Sequence, residues 1–128
     1  MIDTTAAKAA LAAAFNDYAA TPCYYDKAPT GAALPYSVIK NVHISPLNAG
    51  DLISFTLEIH TDDTLQNSAE ELEKLCDTYR NAADGALLTD KEKFYGHINF
   101  DSQDDGSQDA EVDLSHRQQL YSLRLFYF

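Results

Sequence analysis

Hydrophobic positions repeat at two different spacings along the chain, and these spacings predict strands and helices. The clearest alternation covers residues 52–61, where Ile53, Phe55, Leu57 and Ile59 are separated by polar residues. Such a two-residue period places one face of a β-strand against a core. Residues 23–25, 36–44, 94–100 and 119–128 also read as strands, and the 119–128 segment is apolar on both of its faces. We therefore expect that segment to be central in a sheet, or covered by a helix or a neighbouring subunit.

Helical spacing occurs twice. Thr4 or Thr5 can cap a helix that runs to about residue 19 and has one apolar stripe, formed by Ala7, Leu11, Ala14, Phe15 and Tyr18. A second helix opens at the capping box S-A-E-E, with Ser68 as N-cap and Glu71 at the third helical position. Its apolar face consists of Leu72, Leu75, Cys76, Tyr79, Ala83 and Ala86, and Gly85 with the Thr89-Asp90 pair ends it.

The order of these elements is α-β-β-β-α-β-β, with a turn marked by Pro46, Asn48 and Gly50 between two of the strands. No repeat and no linker interrupts the order. The sequence therefore predicts one α+β domain over residues 1–128, in which two helices pack against a mostly antiparallel sheet.

Composition and charge narrow the possible functions. The chain is 45% hydrophobic and has a formal net charge of −11. This composition excludes a disordered or fibrous protein, and the charge argues against tight binding to nucleic acid or to anionic membranes. Two cysteines are too few for a disulfide framework, so we expect free thiols and a reducing cytoplasm, with Cys76 buried on its helix.

No catalytic or metal-binding motif is present. The four histidines (His43, His60, His97 and His116) lie on or beside predicted strands, in no H-x-H or H-E-x-x-H pattern. We interpret each as a surface or interface residue and predict no cofactor and no metal. The acidic segment 101–113 fits a calcium loop poorly, because Gln103 and Val112 occupy two ligand positions. The sequence thus predicts a protein that is not an enzyme.

The stretch A-P-T-G-A-A-L-P-Y at residues 28–36 lacks the glycines and the lysine of a phosphate-binding loop. Pro29 and Gly31 fit a turn, and Pro35 biases Leu34 towards extended backbone. We interpret the stretch as a loop that delivers Tyr36 into the sheet.

The order of elements, together with Tyr24-Tyr25-Asp26, the loop that ends in Pro35-Tyr36 and the final Y-S-L-R-L-F-Y-F, resembles the tail-completion or tail-terminator (tail-to-head joining) proteins of long-tailed bacteriophages and prophages. The resemblance covers nearly the whole chain. It implies an α+β subunit without catalytic residues that forms a ring, often hexameric, between the tail tube and the head connector. It also implies assembly in the bacterial cytoplasm and a final place in the virion tail.

On this basis we predict that the loop is a contact between subunits or with a partner, through Pro29, Gly31, Leu34, Pro35 and Tyr36. The acidic segment is a second candidate contact, through Asp104, Asp105 and Asp109.

A different class of function remains open. Eight tyrosines and many acids would also suit a small soluble binding protein or enzyme for a cationic ligand or metal.

Overall fold

The computed structural model describes residues 4–61, 68–90, 92–104 and 116–128, which form two helices and six strands. The helices are α1 (Thr4–Tyr18) and α2 (Ser68–Ala83), and neither is long and apolar enough to span a membrane. The strands are β1 (Cys23–Tyr25), β2 (Tyr36–Pro46), β3 (Asp51–His60), β4 (Leu87–Asp90), β5 (Phe94–Asp104) and β6 (His116–Tyr127). The predicted α+β class is confirmed.

All of these strands belong to one sheet, in the order β1-β2-β3-β6-β5-β4. β1 runs parallel to β2, and every other neighbouring pair is antiparallel. β6 lies between β3 and β5, so the strand that is apolar on both faces is indeed central. The edge strands of the described sheet, β1 and β4, are only 3 and 4 residues long. They pair only with residues 37–39 of β2 and residues 94–97 of β5, so the later parts of these two longer strands have no outer strand partner in the described sheet.

The two faces of the sheet differ in what covers them. Both helices pack on one face, which we call the helix face, and the residues of β3 that point to it are at most 2% exposed (Ile53, Phe55, Leu57 and Ile59). The residues between them point to the opposite face, which we call the open face. There Leu52 and Leu120 are each 40% exposed and Tyr95 is 41% exposed. These three side chains are exposed enough to contact other molecules.

Phe15 of α1 joins the helices to the sheet. Its ring lies 5.7 Å from that of Phe55 on β3, 6.0 Å from that of Tyr79 on α2 and 5.2 Å from that of Tyr121 on β6, measured between centroids. All four side chains are at most 2% exposed. The side chain of Phe15 on α1 thus packs against three other elements, namely β3, α2 and β6.

We expect Phe15→Ala to lower the free energy of unfolding by about 3–5 kcal/mol, because it removes apolar contacts and leaves a cavity. Urea unfolding followed by circular dichroism measures this loss. Phe128→Ala is the matched control, since Phe128 is 61% exposed, and it should change the free energy by no more than about 0.5 kcal/mol. Equal losses for the two variants would contradict the central position of Phe15.

Hydrogen bonds between buried side chains also hold α2 on the sheet. The hydroxyls of Tyr79 and Ser37 lie 2.9 Å apart. The amide nitrogen of Gln119 donates to the carbonyl of Cys76 at 2.9 Å, and the hydroxyl of Tyr121 donates to the amide oxygen of Gln119 at 2.7 Å. These bonds satisfy polar groups that would be costly to bury alone. Cys76 is buried and forms no disulfide bond, as predicted.

Burial raises the pKa of Tyr79 to about 12 and also raises the pKa of Tyr121. When the pKa of a tyrosine is higher in the folded state, the folded state favours the protonated hydroxyl. The resulting stabilisation is fully present at any pH below the pKa of the unfolded state, which is about 10. This stabilisation is lost as the pH rises from about 10 through the pKa of the folded state. We therefore expect the free energy of unfolding to fall between about pH 10 and pH 12. The free energy of unfolding of Tyr79→Phe should fall less steeply over this pH range. If urea unfolding gives parallel pH profiles for the variant and the unchanged protein, the shifted pKa of Tyr79 is contradicted.

The predicted turn between β2 and β3 is present, and Gly50 is essential to it. Gly50 has a φ of +92°, and its carbonyl accepts a hydrogen bond from the N–H of Leu47 at 2.9 Å. A Cβ at this position would collide with the carbonyl of Leu125 on β6. Only glycine therefore allows the turn to lie this close to the central strand.

The sequence did not predict β4. The helical spacing extends to Ala86, but α2 ends at Ala83. Gly85 has a φ of +82°, and its N–H donates to the carbonyl of Ile98 at 2.7 Å. This bond directs the chain alongside β5, where the four residues of β4 pair with it. Four residues with two adjacent leucines give no alternation by which to recognise a strand.

β5 also extends further than predicted, to Asp104. Residues 102–104 of the acidic segment therefore pair with β6, beyond a bulge between Phe100 and Ser102 that contains Asp101. The side chain of Asp101 accepts a hydrogen bond from the hydroxyl of Ser122 at 3.2 Å. Residues 101–104 are exposed, in agreement with the prediction that this segment is not buried.

Candidate functional site

The predicted contact residues that the structure describes lie at one end of the sheet, which we call the loop end. Tyr36 pairs with His60, and His60 pairs with His116. Asp104 of β5 pairs with Gln118, two residues further along β6. Neighbouring strands are about 4.8 Å apart, so β5 lies about 14 Å from β2 across the sheet. The loop and Asp104 thus lie at the same end of the sheet, where the loop leads into β2 and Asp104 belongs to β5.

Asp105 and Asp109, the other acids predicted to form a contact, lie outside the described residues. Their role stays a prediction.

The loop that precedes β2 exposes most of its predicted contact residues. Pro29 accepts a hydrogen bond from the N–H of Ala32 at 3.1 Å, and Gly31 has a φ of +80°, which gives the predicted turn. Leu34 is 46% exposed and joins Pro35 through a cis peptide bond. An exposed leucine on a loop held by backbone hydrogen bonds is a suitable contact for a partner.

The end of the loop forms one wall of a cleft of about 420 Å³, and α2 forms the other. The lining residues are Leu34, Pro35, Thr61, Glu71, Lys74, Leu75 and Thr78. The ammonium of Lys74 lies 3.3 Å from the carboxylate of Glu70 and 3.9 Å from that of Glu71, so nearby acids balance its charge. An apolar cleft of this size with a polar rim can accept a side chain of a partner or a small ligand.

Thr61 lies in this cleft with a polar group left unsatisfied. It is 8% exposed, and among the described residues its hydroxyl has no hydrogen-bond partner. We expect Thr61→Val to leave the free energy of unfolding unchanged or to raise it by about 1 kcal/mol, because it removes an unpaired buried hydroxyl. Urea unfolding measures the change.

Thr89→Val is the matched control, since the hydroxyl of Thr89 donates to the carbonyl of Phe94 at 3.0 Å. Loss of this bond should lower the free energy of unfolding by about 1 kcal/mol. A loss of the same size for Thr61→Val would mean that its hydroxyl is satisfied in the folded protein.

On the open face of the loop end, four aromatic rings form a row across β1, β2, β3 and β6. The rings of Tyr24 and Tyr36 are 5.9 Å apart, those of Tyr36 and His60 are 5.1 Å apart, and those of His60 and His116 are 4.7 Å apart, between centroids. The last two pairs are stacked. The row keeps both imidazoles close together with nearly parallel rings.

Glu58 lies against the two histidines. Its Oε1 atom is 3.1 Å from Nε2 of His60, 3.9 Å from Nε2 of His116 and 3.2 Å from Nζ of Lys40. Burial raises the pKa of Glu58. The hydrogen bonds from His60 and Lys40 and the charges of Lys40 and His116 lower it more, so the net pKa is below the ordinary value. The carboxylate is therefore ionised at neutral pH.

Glu58, His60 and His116 thus form a group of three possible metal ligands, whose donor atoms all lie within 4.8 Å of one another. We call it the Glu-His cluster. Sequence reasoning missed it because it sought ligands at short spacing along the chain. The available signal was that Glu58 and His60 share a strand face, but the third member depends on the pairing of β3 with β6, which the sequence does not reveal.

The sequence matches no protein-family model and no curated protein. The fold, in contrast, is similar to that of a chain in the virion of a native gene transfer agent (GTA) particle. The TM-score is 0.61 at 15% sequence identity, and the match covers 89% of this chain and 85% of that chain. The two chains therefore share a fold over nearly their whole lengths.

Proposed function

We propose that this chain is a structural subunit of a phage-derived virion, without catalytic activity. Within that class, we propose a tail-completion or tail-terminator protein that forms a ring, with six as the expected number of subunits, at the head-proximal end of the tail and joins the tail to the head. The observation that carries the proposal is the likeness of nearly the whole chain to a chain of a GTA virion. The resemblance of the sequence to tail-terminator proteins supports the finer role, with residues 1–128 acting as one domain.

A ring of identical subunits needs two different surfaces on each subunit, because each copy contacts the next head to tail. The loop end, with Leu34 exposed beside the cleft, is the first surface in this proposal. The second is an aromatic patch of Tyr95, Phe126 and Phe128 near the other end of the sheet, where the ring of Tyr95 lies 5.2 Å from that of Phe126 and 5.5 Å from that of Phe128. Apolar side chains exposed together favour a protein contact.

The charge of the chain agrees with this role. A ring through which DNA passes must not hold it tightly, and tight holding requires a surface rich in lysine and arginine. The net charge of −11 opposes such binding. The partners in this proposal are therefore further copies of the chain, the tail tube and the head connector, and neither nucleic acid nor a membrane.

The experiment mixes the purified protein with tail tubes from the same phage or prophage, and scores capped ends by negative-stain electron microscopy. We expect the protein to cap the tubes and to limit their length. Leu34→Ser should raise the concentration needed for half-capping at least about tenfold, because burial of a leucine contributes about 1.5–3 kcal/mol.

Leu120→Ser is the matched control, since Leu120 is similarly exposed (40%) but lies on the open face, whereas Leu34 lines the cleft beside α2. It should cap like the unchanged protein. Absence of capping by the unchanged protein would refute the proposed function. Capping that Leu34→Ser and Leu120→Ser impair equally would refute the loop end as the contact surface.

The alternative, a binding protein for a cationic ligand or a metal, also has an observation in its favour. The Glu-His cluster brings three potential metal ligands together on the open face. A gene neighbourhood without tail or head genes would favour this second class over the first.

A further inference from the structure

We propose that the Glu-His cluster binds one Zn²⁺ ion through Glu58, His60 and His116. This site does not depend on the proposed virion role, because its ligands come from a single subunit. Glu58 and His60 are two residues apart on β3 and face the same way, and His116 is the direct partner of His60 on β6. An ion held there would cross-link two strands at the loop end.

The distances between donor atoms are close to what zinc requires. Four-coordinate Zn²⁺ binds imidazole nitrogen and carboxylate oxygen at about 2.0–2.1 Å, which places tetrahedral ligand atoms about 3.3 Å apart. Oε1 of Glu58 lies 3.1 Å from Nε2 of His60 and 3.9 Å from Nε2 of His116. The donor atoms of His60 and His116 lie within 4.8 Å of each other, so the two imidazoles must rotate towards a common point to hold one ion.

The types of ligand favour zinc or a divalent transition metal over calcium and magnesium. Two imidazoles and one carboxylate suit zinc, whereas calcium and magnesium prefer oxygen ligands alone. Three protein ligands leave a fourth position, which a water molecule would fill.

Two neighbouring side chains act on the site in opposite directions. The ring of Tyr36 stacks on His60 at 5.1 Å between centroids and restricts the rotation of the imidazole, which favours binding. Nζ of Lys40 lies 3.2 Å from Oε1 of Glu58 and competes with the ion for that oxygen. A positive charge this close also repels a divalent cation. Removal of Lys40 should therefore strengthen zinc binding.

The two cysteines do not offer a competing thiolate site. Burial raises the pKa of Cys23 to about 11, so its sulfur stays protonated at neutral pH. Cys76 is fully buried among apolar side chains of the helix face, whereas the Glu-His cluster lies on the open face. Zinc requires a deprotonated thiolate, so the histidines and Glu58 are the better ligands.

The experiment is a calorimetric titration of the chelator-treated full chain with Zn²⁺ near neutral pH. We expect one ion per chain and a higher thermal unfolding midpoint when zinc is present, because an ion that binds only the folded state stabilises it. His60→Ala, His116→Ala and Glu58→Gln should each weaken binding at least about tenfold. Mg²⁺ and Ca²⁺ should not compete.

The other two histidines provide matched controls. His43 and His97 are both exposed, and His43→Ala and His97→Ala should leave zinc affinity unchanged. Lys40→Gln should raise the affinity about three- to tenfold, because it removes a competing charge. This gain separates a binding site from a merely structural cluster, since a variant that only damages the fold does not bind more tightly.

Three results would overturn the proposal. The first is that the unchanged chain gives no heat of binding with Zn²⁺. The second is that the control and cluster histidine variants lose the same amount of zinc affinity, and the third is that Lys40→Gln binds zinc more weakly. Circular dichroism of each variant establishes that it is folded before its affinity is compared. Capping of tail tubes is measured separately in zinc-free buffer, so failure of the zinc site and failure of the virion role can be told apart.

Discussion

The rest of the structure depends on the pairing of β3 with β6, which is unbroken from Asp51 opposite Leu125 to His60 opposite His116. Successive residues of a strand point to opposite faces, so a shift of one residue would turn every side chain of β6 to the wrong face. The register holds because it stacks the ring of Phe55 on that of Tyr121 at 5.7 Å, under the helices. The hydrophobic core thus fixes the alignment of the two central strands, and that alignment positions the remaining strands on either side.

The same register determines what the open face presents. Because the core fixes which residues of β3 and β6 point inwards, it also fixes that His60 and His116 point outwards side by side. The core therefore places polar groups with which it has no direct contact. At the loop end, the cleft lies on the helix face and the Glu-His cluster lies on the open face, at the ends of the same strands. Two kinds of surface occur within a short distance, one apolar and one rich in metal ligands.

The sequence predicted those features that depend on local periodicity. The alternation around Phe55 and the helical stripe around Phe15 identified strand β3 and helix α1, and Gly50 identified the turn between β2 and β3. Features that depend on long-range pairing were not predictable, because no local pattern states which strand lies beside which. β4 was missed for this reason, since it exists only where β5 can pair with it. The proximity of His60 and His116 was missed for the same reason, although each residue had been correctly placed on or beside a strand.

The two edge strands are short, and each covers only part of the longer strand beside it. β1 pairs with residues 37–39 of β2, and β4 pairs with residues 94–97 of β5, although both inner strands are 11 residues long. In the described sheet, the later residues of β2 and β5 therefore have no strand partner on their outer side. Unpaired backbone of this kind can accept a further strand whatever the sequence of that strand. A strand added at either place would widen the sheet without disturbing the helix face, so association by backbone pairing is compatible with this fold.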